Sequence, residues 1–274
     1  MSGFGIDRLA RRMLNESRAL AMPMLPDPDA VPISRLEFAA AVGFVPDPWQ
    51  KTALESTSRK LLFNCCRQSG KRTTSAVLAV HEAISKPAAL ALVLAPSLRQ
   101  SGELFRTCLQ LMKSADVALP PIIAESALRC ELANGSRIIA LPGSEATTRG
   151  YSAATLVVID EAARVPDALI AAVRPALATT NGRVVALSTP AGKRGFFYLE
   201  YVSGVDWERS TITASECPRI AQEFLDDEMR SLGPHVYGSE YNCEFYEPDT
   251  AVFSSALIER ALTTDVKPLW SLAA

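Results

Sequence analysis

Four short runs of apolar residues, the first two each passing into a stretch of helical periodicity, constrain this chain more than any other feature. They are KLLFNCC (60–66), followed by a helical pattern over 71–86; ALALVLA (89–95), followed by one over 97–114; TLVVIDEA (155–162); and RVVALSTP (183–190). A run this short and apolar at nearly every position suits a strand covered on both faces. Such strands alternating with helices build an α/β fold, a mainly parallel sheet with helices on both sides. Between the second and third runs, LRCELANGSRIIALPG suits two strands joined at Asn134-Gly135, since that pair tolerates the positive φ of a tight hairpin turn. A small hairpin at the sheet edge is expected there.

With 274 residues and 48% hydrophobic side chains, the chain can bury a sizeable core. The proline-dense stretch from Met22 to Pro48 reads as an extended arm entering a domain, which sets expected boundaries of 1–34 for an arm, 35–250 for the body and 251–274 for a linker or tail. The arm carries Arg8, Arg11, Arg12 and Arg18 on a helical pattern that suits a surface or partner-binding helix. A net charge of −2 argues against a protein that coats nucleic acid over its whole surface and leaves room for a local basic patch. Six cysteines without a CxxC pair, and two distant histidines, argue against a structural zinc site or a disulfide framework and suit a reducing cytoplasm. The longest apolar run is eight residues, against the roughly 20 of a membrane helix, so no membrane partner is expected.

The ends of the apolar runs carry the chemistry. After the first comes CCRQSGKRTT, with a helix expected to begin near Gly70-Lys71. Helix N-terminal amides and the positive end of the helix dipole would face phosphates there, with Lys71 reaching the terminal ones. The pattern departs from a full phosphate-binding loop at both ends: Cys65 stands at the first glycine position, and Arg72 stands where a hydroxyl should ligate Mg²⁺. The third run ends in Asp160-Glu161, one carboxylate placed to hold Mg²⁺ through water and the next to polarise an attacking water. The fourth ends in Ser188-Thr189, whose hydroxyls could sense a γ-phosphate. Upstream, the Gln50 amide offers a donor and an acceptor that match the N6/N7 edge of adenine. Ligands of such sheets bind at the strands' C-terminal ends, so these motifs should converge on one crevice.

Taken together, PDPWQ, CRQSGK, TTRGYSAATLVVIDEA, LSTPAGKRGFFY and ECPRIAQEFLDDEMRSLGPHVYGSEYNCEF resemble, in order, the ATPase domain of the large terminase subunit, the motor that packages DNA into tailed-phage heads. The resemblance covers roughly 40–250 and implies a RecA-like P-loop fold with ATP and Mg²⁺ as cofactors. It implies an adenine contact at Gln50 and a phosphate loop over Arg67, Gln68, Ser69, Gly70 and Lys71. Arg72 and Thr73 would follow on the first helical turn. It further implies Asp160 as the metal ligand, Glu161 as the catalytic carboxylate and Ser188-Thr189 as a coupling motif. Arg67 or Arg149 would supply charge to the transition state, Arg149 by reaching a neighbouring subunit's nucleotide. Implied partners are double-stranded DNA, a portal protein, a small terminase subunit and further copies of the chain in a ring, in the host cytoplasm.

Two departures qualify that expectation. No acidic cluster follows the ATPase motifs, so DNA cleavage by these residues is not expected. A guanidinium about 4 Å from a dication would cost roughly 8 kcal/mol at an effective dielectric near 20. Arg72 must therefore swing away or take the metal's place against the phosphates, and Thr73, rotated about 100° around the helix, should not simply substitute. The expectation is nucleotide binding with weak Mg²⁺-dependent turnover. Another nucleic-acid ATPase, or a hydrolysis-impaired assembly module, are the alternatives. Lys193-Arg194 could touch DNA phosphates or be a solvated turn.

Overall fold

A computed structural model describes residues 33–141, 150–247 and 255–262. Its centre is an eight-stranded sheet of order β3-β4-β5-β2-β6-β7-β1-β8. The strands are β1 (Lys60–Cys65), β2 (Leu90–Leu94), β3 (Ile122–Glu125), β4 (Arg129–Leu132), β5 (Arg137–Leu141), β6 (Leu156–Asp160), β7 (Arg183–Ser188) and β8 (Glu208–Ile212). Along the sheet from β5 through β2, β6, β7 and β1 to β8 every neighbouring pair is parallel; the pairs β3–β4 and β4–β5 at the other edge are antiparallel, so β4 alone runs against the rest. The expected hairpin is β4 and β5, with Gly135 at φ 81° in its turn. It is not a free-standing edge unit: β5 pairs with β2 inside the sheet, and β3 covers the outer side of β4.

The helices are α1 (Arg35–Ala41), α2 (Pro48–Glu55), α3 (Lys71–Ser85), α4 (Leu98–Ser114), α5 (Asp167–Val173), α6 (Gly195–Val202), α7 (Gln222–Tyr241) and α8 (Ser255–Ala261). The apolar runs sort by alternation into two cores. Leu61, Phe63, Ala91, Val93, Leu156, Val158, Val185 and Leu187 face one side with α1 to α4. Leu62, Leu92, Leu94, Val157, Ile159 and Ala186 face the other, with α5, Phe196, Phe197 and Trp207. Burying a large apolar side chain stabilises by about 1.5–3 kcal/mol, which explains why nearly every interior position of these strands is apolar.

The register sets the site. Asn64 of β1 lies beside Ser188 of β7, and Leu187 lies beside Asp160 of β6. The C-terminal ends of three neighbouring strands therefore open on one place. The helix α7 crosses near it, and Gly233 (φ 71°, ψ 165°) followed by Pro234 kinks that helix, so its last turns take a direction of their own.

Candidate functional site

At the end of β1 the chain turns through Cys66 to Gly70 and enters α3 with Gly70 as its N-cap at φ 87°. A Cβ on Gly70 would meet the Gln50 amide nitrogen at 2.5 Å, so the loop needs glycine there for both its backbone and its close packing. Gln68 (φ 60°) and Glu161 (φ 51°) are also left-handed, a conformation that costs a non-glycine residue energy and is kept where surrounding structure imposes it. Both border the same cleft, about 710 Å³, walled by residues 67–73, Gln100, Asp160, Glu161, Arg164 and Thr189 among others.

Several charges in and beside this cleft are paired with one another. Lys71, almost buried, holds its Nζ 3.6 Å from Glu161 Oε1 and 3.4 Å from the Cys66 carbonyl oxygen. The other Glu161 oxygen lies 3.1 Å from Arg164 Nη1. Arg164 also donates to Thr189 Oγ1 at 2.8 Å, and its Nη2 stands 3.6 Å from Glu240 Oε1. Glu240, on the kinked end of α7, accepts from Arg67 Nε at 2.7 Å, while its carbonyl takes the Arg67 backbone N–H. Asp160 is buried, and the loss of water raises its carboxyl to about 6; the Glu161 charge adds to the rise, whereas Lys71 and Arg72 oppose it. One Asp160 oxygen accepts the Glu161 N–H.

The sequence-derived residues separate into those facing the cleft and those supporting it. Arg67, Gln68, Ser69, Gly70, Lys71, Arg72, Thr73, Asp160, Glu161 and Thr189 line it together. Ser188 is fully buried and donates its hydroxyl to the Thr189 carbonyl, so Thr189 is the member of that pair facing the cleft. Gln50 is also fully buried: its Oε1 accepts the Asp47 N–H at 2.8 Å, and its Nε2 donates to the Ser69 carbonyl at 3.2 Å. In this structure it is a strut behind the phosphate loop, with no amide surface open to a base. Arg72 is exposed at the cleft, and its charge favours the Asp160 carboxylate. Arg149 lies outside the described residues. Lys193 sits 3.3 Å from Glu247, and Arg194 is exposed.

Three residues here escaped the reading of the sequence. Arg164 could have been suspected, since three residues beyond Glu161 is a spacing that brings side chains together on a helical turn. Glu240 and Arg219 carried no such signal; Arg219 Nη2 donates to the Ser69 carbonyl at 3.0 Å and to Asp47 Oδ2 at 2.6 Å, sharing with Gln50 the task of holding the loop.

The cleft fits an anion and a cation together. The backbone N–H groups of Gln68, Ser69, Gly70 and Lys71 make no backbone hydrogen bond among the described residues. The Ser69 hydroxyl is buried beside the Cys65 thiol. Such donors suit phosphate oxygens. Asp160 suits Mg²⁺, which is commonly held by one or two carboxylates completed by phosphates and water. Among the described residues no cluster of three or more His, Cys, Asp or Glu could hold a metal by itself, and no helix is long and apolar enough to cross a membrane.

Comparison with known proteins bears on the family and the fold. Residues 62–260 match the family profile described as terminase large subunit, T4likevirus-type, N-terminal. The chain belongs to this terminase large subunit family. It is 28% identical over 179 residues to the terminase large subunit of Thermus phage G20c, and equally to that of Thermus virus P23-45. Those matches cover 59% of this chain and 37% of each relative, so the matched region spans little more than a third of their length. Among solved structures, the large terminase ATPase domain of Thermus phage P74-26 superposes with a TM-score of 0.67 at 20% identity, covering 79% of this chain and 99% of that one. The large terminase of a thermophilic bacteriophage, solved in complex with ADP, superposes with a TM-score of 0.64 at 11% identity, covering 73% of this chain and 53% of that one. At such identities the likeness establishes the fold, the RecA-like sheet of terminase ATPase domains.

Proposed function

We propose that this terminase-family chain binds ATP in the 710 Å³ cleft and hydrolyses it with Mg²⁺ to drive double-stranded DNA into a phage prohead. The observation that carries the reading is Lys71 Nζ resting 3.6 Å from Glu161 Oε1, above an N-terminal turn with free backbone donors. A loop lysine and a catalytic carboxylate that neutralise each other are both released for work when phosphates claim the lysine. The loop amides and Lys71 then hold the phosphates, and Glu161 orients the attacking water and accepts its proton. Asp160 would hold Mg²⁺, whose chemistry is to neutralise charge on the phosphate oxygens. Arg67, or Arg149 from a neighbouring copy, spreads positive charge over the transferring group. Thr189, with Ser188 behind it, reports the γ-phosphate. Gln50 would reach adenine once its bond to Asp47 opens. On this reading the chain works in a ring on a portal protein, supplied with DNA by a small terminase subunit, in the host cytoplasm.

The discriminating experiment measures Mg²⁺-dependent phosphate release from ATP and, separately, binding of a fluorescent ATP analogue. Lys71→Ala should abolish binding, whereas Glu161→Gln should bind and fail to turn over. Binding that is indifferent to Lys71→Ala would overturn the assignment.

A second reading is favoured by Arg72, which lines the cleft within electrostatic range of Asp160. There its guanidinium opposes a dication while still attracting phosphates, giving a nucleotide-binding assembly module with impaired hydrolysis. Arg72→Ser separates the two. A marked gain in Mg²⁺-dependent turnover supports impairment by Arg72, and unchanged robust turnover supports the motor.

A further inference from the structure

We infer that Arg164 is the positioning residue that couples the nucleotide state of Glu161 to the loop 190–195. The inference rests on the ATPase reading above and extends it to a residue outside the phosphate loop and the carboxylate pair.

The geometry allots Arg164 a task that no other described residue performs. Glu161 carries one cation on each oxygen, Lys71 on Oε1 and Arg164 on Oε2. Phosphates entering the cleft compete for Lys71, because that lysine stands at the head of the phosphate loop. Arg164 then remains as the cation holding the carboxylate, whose backbone is already fixed in a left-handed conformation. The same guanidinium nitrogen donates to Thr189 Oγ1 at 2.8 Å, so one group ties the end of β6 to the end of β7. Its other nitrogen faces Glu240, which is the anchor of Arg67. A phosphate that draws Arg67 off Glu240 alters the same carboxylate that Arg164 faces.

Arg164 also lines a second cleft, of about 750 Å³, beside the first. Pro190 to Arg194 form one wall of this neighbour, and the kinked end of α7, from His235 to Glu240, forms another. A side chain shared by both clefts, and bonded to the residue immediately before the loop, transmits a change in Glu161 to Lys193 and Arg194 without any rearrangement of the sheet.

Hydrogen exchange on the full chain, with and without ATPγS and Mg²⁺, tests this without requiring turnover. In the wild type, nucleotide should slow exchange in 67–73 and change it in 191–195. In Arg164→Ala nucleotide should still slow exchange in 67–73, while the change in 191–195 disappears. Arg164→Lys, which keeps the charge and loses the fork that bonds Glu161, Thr189 and Glu240 together, should restore only part of it. A response in 191–195 that survives Arg164→Ala overturns the inference, as does a wild type whose 67–73 is protected while 191–195 is indifferent. Parallel loss of affinity and of the loop response would show a merely structural arginine and overturns it too. If the wild type shows no protection of 67–73 at all, the ATPase reading fails, and the coupling falls with it.

Discussion

The two ends of the parallel sheet both bring arginines close to buried structure, and they use them in opposite ways. At the N-terminal end, Arg35 Nη1 donates to the Leu54 and Ser56 carbonyls, and Arg183 Nη2 donates to the Ser56 carbonyl. Backbone carbonyls cannot move away or change charge, so these bonds are permanent. At the C-terminal end, Arg67, Lys71 and Arg164 face the side-chain carboxylates of Glu161 and Glu240. Those partners are exchangeable, because an incoming anion can take the cation and leave the carboxylate free. Left-handed Gln68 and Glu161 and the buried Asp160 sit at this same end. At one end the arginines are bonded to fixed backbone carbonyls, while at the other the cations face carboxylates that an anion can replace.

The largest effect that would break this contrast is on Glu161. Glu161→Gln keeps the shape of the side chain and removes its charge, so ATP turnover should fall by about 10²–10⁴, the usual weight of a general base. The melting temperature should hardly change, because an exchangeable pair contributes little to the folded state. A fall in stability larger than the fall in rate would place Glu161 with the permanent pairs.

Asp160 sharpens the contrast through pH. Its folded carboxyl, raised to about 6 by burial, holds a proton more tightly than the same group in the unfolded chain. Above pH 6 the folded state bears the full penalty of a buried charge; as pH falls from 6 toward 4 the group protonates and the penalty disappears. Asp160→Asn should therefore stabilise the nucleotide-free protein by about 1–3 kcal/mol at pH 7.5, with the gain shrinking at pH 5. Urea unfolding at the two pH values measures it. A gain that grows at the lower pH would contradict the direction assigned here.

Arg183 is the counterpart at the stable end. Burial lowers its guanidinium to about 10, opposed by Glu82 and Glu208, so its charge is held at a cost and its bond to Ser56 matters. Arg183→Ala should destabilise by about 1.5–3 kcal/mol, the range of a hydrogen bond to a charged donor, and leave nucleotide-analogue affinity unchanged. Loss of affinity without loss of stability would erase the distinction between the ends.

The sequence reveals these two ends unequally, for a physical reason. The β1, β2, β6 and β7 strands are legible because burial on both faces requires apolar residues at nearly every position, and the chemistry at their ends is legible because each motif is contiguous. The edge strand β8 (ERSTI) is half solvated and polar, so it gives no such run, and β3 (IIAE) is too short and too exposed to stand out. Within the site, Lys71, Asp160, Glu161 and Thr189 meet because the register brings their strands together. The pairing of Arg67 with Glu240 joins residues 173 apart and depends on the direction of the kinked end of α7, which no local pattern encodes. Arg149, expected to act from a neighbouring copy, lies outside the described residues.

The smallest expected effect concerns the Ser69 carbonyl, where the two kinds of contact overlap. It accepts from buried Gln50 at 3.2 Å and from half-exposed Arg219 at 3.0 Å. Water competes with the exposed donor, so the Arg219 contacts are worth about 0–1 kcal/mol, whereas Gln50 also satisfies the Asp47 N–H and cannot be replaced by solvent. Arg219→Ala should weaken nucleotide-analogue binding by no more than about fivefold, which corresponds to about 1 kcal/mol. Gln50→Ala should weaken it further and lower the melting temperature as well. A loss greater than about tenfold in Arg219→Ala, with the fold intact, would mean that this guanidinium touches the nucleotide itself, moving Arg219 from the permanent supports of the loop to its exchangeable partners.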